Sequence, residues 1–321
     1  MTEKEQYRQL CELHPEIPLF LQHWWMEAVC AGKQWDVLLY RDGEGEVQAV
    51  MPFLIGKKLW MRYVLQPQMT QYNGVWYLKN DFRSESERLS FEKKVCTCFA
   101  ERIKGLKLSY FCQNFSPSFT NWLPFFWQGY KQTTRYTYQI KKLSNLNEVF
   151  ANFDRNRRQK KILSLEKNYH QTTDITPEEF YGFHSKYWEA KGTKDLFAEK
   201  YVVKLCNAAM ARRQGVLIGL VDIKTGEKVA MRFVVFDKTT AYSLLSAIEP
   251  DSKVNGLSEL LFWKIIQYLS GKVQVFDFEG SMVESIEHSY RLYGAKQVPY
   301  FQIEKCNSLL LGLFLKLKTK R

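Results

Sequence analysis

The stretch 273–282, VQVFDFEGSM, places two carboxylates, Asp277 and Glu279, at the end of an apolar run and directly before Gly280 and Ser281. Strand side chains alternate, so as a strand Val273, Val275, Asp277 and Glu279 would share one face and Phe276 and Phe278 the other. Two acids on one face raise each other's proton affinity, and a carboxyl group tuned in this way can act as a general base. The same pair could instead neutralise a neighbouring lysine or arginine. Gly280 and Ser281 have a local explanation. The glycine supplies a turn, and Ser281 with Glu284 reads as a capping box. The helix it would open carries Val283, Ile286, Tyr290 and Tyr293 at helical spacing and is closed by Gly294. Capping leaves Asp277 and Glu279 over as candidates for chemistry.

A second stretch is Lys253-Val-Asn255-Gly256-Leu257-Ser258, between a strand and a helix. Backbone N–H groups at a helix N-terminus after a glycine turn attract phosphate, and Lys253 adds a positive charge. A plain turn would explain the glycine equally well. Tyr72, Asn73, Trp188 and Tyr242 are candidates to line an acceptor cleft between two halves of the chain, or else to fill cores. His184 and His288 have no cysteine or acid at ligand spacing, and no metal site is expected. Dinucleotide, P-loop and Gly-x-Ser-x-Gly signatures are missing from the sequence.

These residues need elements to hold them, and the sequence supplies two sets. Residues 35–55 (WDVLLYRDGEGEVQAVMPFLI) and 216–236 (VLIGLVDIKTGEKVAMRFVVF) each read as strand, Gly-Glu turn and strand, the pattern of a β-hairpin. Gly45, Glu46 and Ala49 match Gly226, Glu227 and Ala230 at one constant offset. A proline-started aromatic helix precedes each hairpin, from Ile17 and from Thr176, the second with Thr176 and Glu179 as a capping box around Pro177. The repetition predicts a tandem duplication. KQTTRYTYQIKKL reads as a strand crossing between the halves, and a helix follows whose 154–167 stretch has six basic residues against two acidic. That face could be solvated or bind RNA. A helix near 198–213 and strands at 215–223, 228–236 and 240–248 come next. Helix LSELLFWKIIQYLSG, strand VQVFDFE, helix MVESIEHSYRLYG and strand QVPYFQIE complete the series. The fold class is α/β, with helices flanking mixed, largely antiparallel sheets.

Composition bounds the rest. A chain of 321 residues suits two domains better than one core. The division expected is 1–140, 141–305 and an apolar-basic tail, 306–321. The net charge of +12 implies an anionic partner, such as a phosphorylated cofactor, nucleic acid or anionic lipid. Seven scattered cysteines read as reduced thiols of a cytoplasmic protein. MTEKEQYRQL is charged throughout and does not read as a secretory signal. No apolar stretch approaches the roughly 20 residues that span a bilayer. LLLGLFLKLK near the end is apolar and then basic, an order suited to docking on the body or lying peripherally on an anionic inner-membrane face.

Taken together these stretches resemble the GNAT acyltransferases, and more closely their tandem form, the Fem-type aminoacyltransferases and related FemAB-like proteins. Lys253, Gly256 and Ser258 stand at the positions of the GNAT donor loop. Asp277-Phe-Glu279-Gly280, followed by Ser289-Tyr290-Arg291-Leu292-Tyr293-Gly294, is similar to the C-terminal FemAB-like pattern. Pro67 to Gly74 looks like the family's aromatic Gly segment, and Arg155 to Lys161 like the basic helix opening its second half. The resemblance runs from about residue 15 to residue 304 and implies two tandem GNAT-like domains, the second carrying the donor loop. It implies a donor site at Lys253, Asn255, Gly256, Leu257 and Ser258, with Glu279, Asp277, Tyr290 and Arg291 at the chemistry. Where Fem-type enzymes carry a lysine that supports aminoacyl-tRNA chemistry, this sequence has Tyr290, with Arg291 beside it. The long helical-hairpin insertion of some staphylococcal-type members is absent as well. Both departures favour acyl-CoA, as a co-substrate and not a tightly bound cofactor, acting on an amine acceptor, with a cell-envelope or lipid-linked compound in view. Aminoacyl-tRNA as donor with a peptidoglycan precursor as acceptor is one alternative. A non-catalytic tandem GNAT-like binding protein is another. No DNA partner is implied.

Overall fold

A computed structural model describes residues 1–30, 32–308 and 311. The chain divides into two compact units, one of residues 1–135 with 299–321 and one of residues 136–298. The apolar-basic tail lies outside the described residues from 309 onward, apart from residue 311.

The first unit opens with α1 (Glu3–Leu13), a short 3-10 turn and α2 (His23–Val29). The hairpin of β1 (Trp35–Arg41) and β2 (Val47–Lys58) follows, then β3 (Met61–Leu65) and the short β4 (Trp76–Tyr77). Ser84 accepts from the Glu87 amide and caps α3 (Glu85–Gly105), whose Val95, Cys96, Phe99 and Ile103 recur at helical spacing and are buried. After β5 (Tyr110–Asn114) and α4 (Leu123–Trp127), the strand β6 (Lys131–Lys141) leads into the second unit.

There α5 (Leu146–Ala151) is followed by a π-helical segment over Arg157–Leu163, where one long basic α-helix was expected. β7 (Tyr169–Thr172), α6 (Pro177–Ala190) and α7 (Glu199–Ala211) precede the meander of β8 (Gly215–Asp222), β9 (Lys228–Phe236) and β10 (Thr240–Ile248). Then come α8 (Leu257–Leu269), β11 (Val275–Asp277), α9 (Glu284–Arg291) and β12 (Lys296–Cys306). From Gln302 onward β12 pairs antiparallel with β5, so the chain's last strand is built into the first unit.

Both hairpins form, and their echo extends to a defect. Tyr40 pairs with Ala49 and Arg41 with Val47, which leaves Gln48 over; Leu220 pairs with Ala230 and Val221 with Lys228, which leaves Val229 over. Gln48 and Val229 stand at the same offset as Gly45 and Gly226, and both glycines have positive φ. The Thr176 cap also forms, with Oγ1 accepting from the Glu179 amide at 3.1 Å. The Glu179 side chain does not close the box, because it turns to Lys228 instead.

The strand order in the second unit is β6-β11-β10-β9-β8-β7. Neighbouring residues of β9 face opposite layers. Phe233 lies 6.4 Å from the Phe180 ring of α6, whereas Val234 joins the core under α8. Phe262 of α8 is the hub of that core, within 4.4–4.9 Å of the rings of Tyr293, Phe278 and Phe276. Phe262→Ala should cost about 3–5 kcal/mol of stability, the range for emptying a buried phenylalanine site. Denaturant unfolding of the two proteins measures it.

Candidate active site

Strands β10 and β11 run parallel for three pairs, ending at Tyr242 and Asp277. β10 continues without β11 to Ile248, still paired with β9, and just beyond the parting that register shifts so that Leu244 has no opposite residue. Where two strands part next to a bulge, backbone groups are left for a ligand to bond.

Asp277 ends β11 and is fully buried. Its Oδ1 accepts from Thr137 Oγ1 at 2.5 Å and from the backbone N–H of Glu279 at 2.7 Å, and its Oδ2 accepts from Gln139 Nε2 at 2.9 Å. Asp277 thus ties β11 to β6 and fixes the residue that follows it by two.

That residue does not sit on a strand. The expected alternation stops at Asp277, and Glu279 adopts φ +63°, followed by Gly280 at φ +69°. Left-handed backbone costs a side-chain-bearing residue about 1–3 kcal/mol and persists only where its surroundings impose it. Here the Asp277 carboxylate holds the Glu279 amide, and Gly280 presses on β6. A Cβ at Gly280 would lie 2.2 Å from the Tyr136 carbonyl oxygen. The two acids come together through this turn and not through a shared strand face.

The Glu279 Oε1 is enclosed and has no hydrogen-bond partner. Burial first, and the Asp277 charge second, push the Glu279 carboxyl well above the usual carboxylate range. Tyr290 lies in the same electrostatic neighbourhood. Burial raises its phenol most, Arg232 works against that, and Glu279 and Asp277 add to the rise. Tyr242, buried on β10, sits opposite Asp277 in the register. Arg291 is exposed and pairs with Glu287 at 2.8 Å on the outer side of α9.

The Ser281 capping box does not form. α9 begins only at Glu284, and Ser281 Oγ accepts instead from the Val283 amide at 3.0 Å. Two left-handed residues have used up the backbone a direct helix start would need. Val283 and Ile286 are exposed, so the packed side of this helix is carried by Tyr290 and, beyond its end, by Tyr293.

At the other candidate stretch Gly256 has φ +116° directly before α8, and a Cβ there would lie 2.8 Å from the Lys161 carbonyl oxygen. No side chain caps α8, so the first-turn amides of Leu257, Ser258 and Glu259 keep their donor capacity toward an anion. Lys253 and Asn255 are exposed, Ser258 is half-buried and the Leu257 side chain is buried.

The remaining candidates are held by their own units. Asn73 Oδ1 accepts from Gln113 Nε2 at 3.1 Å, and the Tyr72 ring lies 5.0 Å from Tyr300, all in the first unit. Trp188 Nε1 donates to His184 Nε2 at 3.1 Å, while His184 Nδ1 meets Asp195 Oδ2 at 2.6 Å. The acid partner that local spacing did not offer His184 thus arrives from a loop eleven residues on. With both ring nitrogens engaged, this histidine is a clamp for that loop. Sequence reasoning missed Thr137, Gln139 and Arg232, and took Arg157 only as part of the basic stretch Arg155 to Lys161. Of these only Arg232, a charge inside the apolar run VAMRFVVF, carries a readable signal.

Residues 151–284 match the acetyltransferase (GNAT) domain family. The structure is similar to that of FemX, with a TM-score of 0.67 and 12% identity over 94% of this chain and 96% of that one. The chain has a tandem GNAT fold. The tandem GNAT protein from the clavulanic acid biosynthesis pathway is also similar (TM-score 0.55, 12% identity, covering 94% of this chain and 93% of that one). So is L-PGS from Bacillus licheniformis (TM-score 0.54, 13% identity, 88% of each chain). Among curated proteins no sequence matches. The bulged β10, the uncapped α8 and the acid-bearing turn all lie within the matched residues 151–284.

Two outcomes follow from the turn. Gly280→Ala should destabilise the protein by about 1–3 kcal/mol, through strain at positive φ and collision with β6. Chemical denaturation reads the loss, and an unchanged midpoint would mean that the turn relaxes freely. The raised Glu279 pKa favours the neutral form in the folded state. Its contribution is therefore fully present below the ordinary glutamate range and declines as pH rises toward the folded value. Glu279→Gln removes that titration, so the variant should gain stability relative to the parent as pH rises from 4 toward neutrality, in melts recorded across that range.

Proposed function

We propose that the chain is an N-acyltransferase that moves an acyl group from a CoA-type thioester to an amine, with Glu279 as the base. The observation that carries this reading is the enclosed, unpartnered Glu279 carboxyl oxygen beside the buried Asp277, within a GNAT-family domain. A carboxyl with raised proton affinity suits the task, because it can accept a proton from an attacking amine near neutral pH.

The amine nitrogen attacks the thioester carbonyl carbon, directly or with its proton relayed through one water. A C–N bond forms, the nitrogen's proton passes to Glu279 and the C–S bond breaks. The leaving sulfur takes a proton, and Tyr290, kept protonated by its raised pKa, is the donor in the same neighbourhood. Asp277 acts through Glu279, holding its amide and adding its charge to the rise in pKa that burial sets. The amides at the start of α8 and Lys253 would receive the donor's phosphates. The net charge of +12 suits an anionic acceptor or surface, and a cell-envelope or lipid-linked amine is the acceptor class proposed. Among the described residues no helix is long and apolar enough to cross a membrane, so such contact would be peripheral.

The test begins with mass spectrometry of protein purified without added ligand, which should find CoA. Bound tRNA in its place would transfer the same chemistry to an aminoacyl ester donor. With the donor in hand, Glu279→Gln should lower turnover by roughly 10²–10⁴-fold and abolish the rise of rate with pH that a titrating base imposes. Wild-type turnover in this isosteric variant would remove Glu279 from the chemistry.

A further inference from the structure

Arg157, which is buried, and Arg232, which is half-buried, have enclosed guanidinium nitrogens and no counter-charge in an ion pair among the described residues. Arg157 is 6% exposed, and of its guanidinium nitrogens only Nη2 is bonded, donating to Ser289 Oγ at 2.9 Å. Its Nε and Nη1 are enclosed and have no partner. The π-helical turn puts Arg157 and Ile162, five residues apart, on the buried side. Arg232 donates through Nη1 to Ser243 Oγ at 2.6 Å, beside the bulge in β10, and its Nε is enclosed and unpartnered.

The two guanidinium groups lie against one pair of touching rings. Arg157 stacks 4.1 Å from the centre of Tyr293, and Arg232 lies 6.0 Å from the centre of Phe262, whose ring is 4.4 Å from that of Tyr293. The carboxylate in reach is Glu259, which also acts on Arg232 and Tyr293, and its Oε1 already takes Lys161 Nζ at 2.8 Å. Asp154 Oδ1 is engaged by the backbone N–H of Arg157. Among the described residues neither arginine forms an ion pair with a carboxylate. A buried charge lacking a partner is costly, and two like charges cost more. Hydroxyls of Ser289 and Ser243 and the Tyr293 face solvate them only in part.

We propose that Arg157, Arg232 and Ser289 form a subsite for the phosphoryl dianion of a phosphomonoester. Donor count decides between phosphate and carboxylate. Three enclosed guanidinium nitrogens, Nε and Nη1 of Arg157 and Nε of Arg232, lack an acceptor, and a phosphomonoester of about −1.5 to −2 near neutrality offers three acceptor oxygens against a carboxylate's two. Guanidinium donors suit phosphate oxygens in geometry as well. The acyltransferase reading bears only on which substrate carries the phosphate; binding itself is read without turnover.

The experiment compares the melting temperature of the full chain in inorganic phosphate, acetate and chloride at matched ionic strength. Phosphate should stabilise the wild type selectively. Arg157→Gln and Arg232→Gln should each weaken phosphate binding about tenfold or more in titration calorimetry, while their ligand-free melting temperatures stay level or rise. Equal stabilisation by acetate, no stabilisation by phosphate, or phosphate binding unchanged in both variants overturns the proposal. The salt comparison needs no variant, so it decides even where a substitution fails to fold. Titration with CoA, dephospho-CoA and O-phosphoethanolamine then locates the phosphate. Weakened CoA but unchanged dephospho-CoA binding in the variants assigns it to the donor, and weakened phosphoethanolamine binding assigns it to the acceptor. Three titrations insensitive to both substitutions count against the subsite.

Discussion

The close approach of the 277–280 turn to β6 is the constraint on which the second unit's chemistry depends. Backbone meets backbone at Gly280, with room for no side chain. Asp277 locks the contact from within by accepting from Thr137, Gln139 and the Glu279 amide. The strained φ of Glu279 is imposed by these bonds on either side of it. A carboxyl held on a rigid turn, in place of a mobile loop, loses little freedom when it meets a substrate, which is the condition for effective proton transfer.

The unit holds unpaired groups of both signs. Glu279 Oε1 is enclosed with its acceptor capacity unused, and burial of the carboxyl favours its neutral form. Arginine has no accessible neutral form at physiological pH, so Arg157 and Arg232 must be met by dipoles, ring faces or an anion. Ordinary core economy would have exchanged such groups for apolar ones of similar volume, since replacing buried ions that way is often neutral or stabilising. Around them the packing is conventional: Phe262, Phe276, Phe278 and Tyr293 form one aromatic cluster under α8. The polar exceptions stand at its rim, beside the bulge in β10 and the acid-bearing turn.

In the first unit the corresponding candidates are packed and bonded within its core, although Gln113 Oε1 is enclosed without a partner. Asn73 and Gln113 bond each other, Tyr72 packs among Phe20 and Tyr300, and α3 lays five apolar positions on the sheet. The bulge after Tyr40 repeats the one after Leu220 down to the residue left over. A local defect reproduced at one offset argues that the two hairpins share their register because they share their turn chemistry. In both, an aspartate Oδ1 accepts the turn's amides and a glycine supplies the positive φ.

Local rules were enough for the elements. Periodicity and turn residues in the sequence determined both hairpins, β10, α6 with its Thr176 cap, α7 and α8, because each depends on residues within about ten positions of one another. They also marked Asp277 and Glu279 as acids unexplained by capping. What joined those acids was decided elsewhere. The alternation rule gave them one face, but contact with β6, about 140 residues earlier in the chain, ended the strand and bent Glu279 into left-handed backbone. The same turn moved the start of α9 past Ser281. The partners of Arg157, the clamp on His184 and the pairing of β12 with β5 likewise depend on residues far apart in sequence. A single chain read locally carries the type of each group. Burial, charge balance and hydrogen-bond partners, which set what that group can do, exist only once distant segments meet.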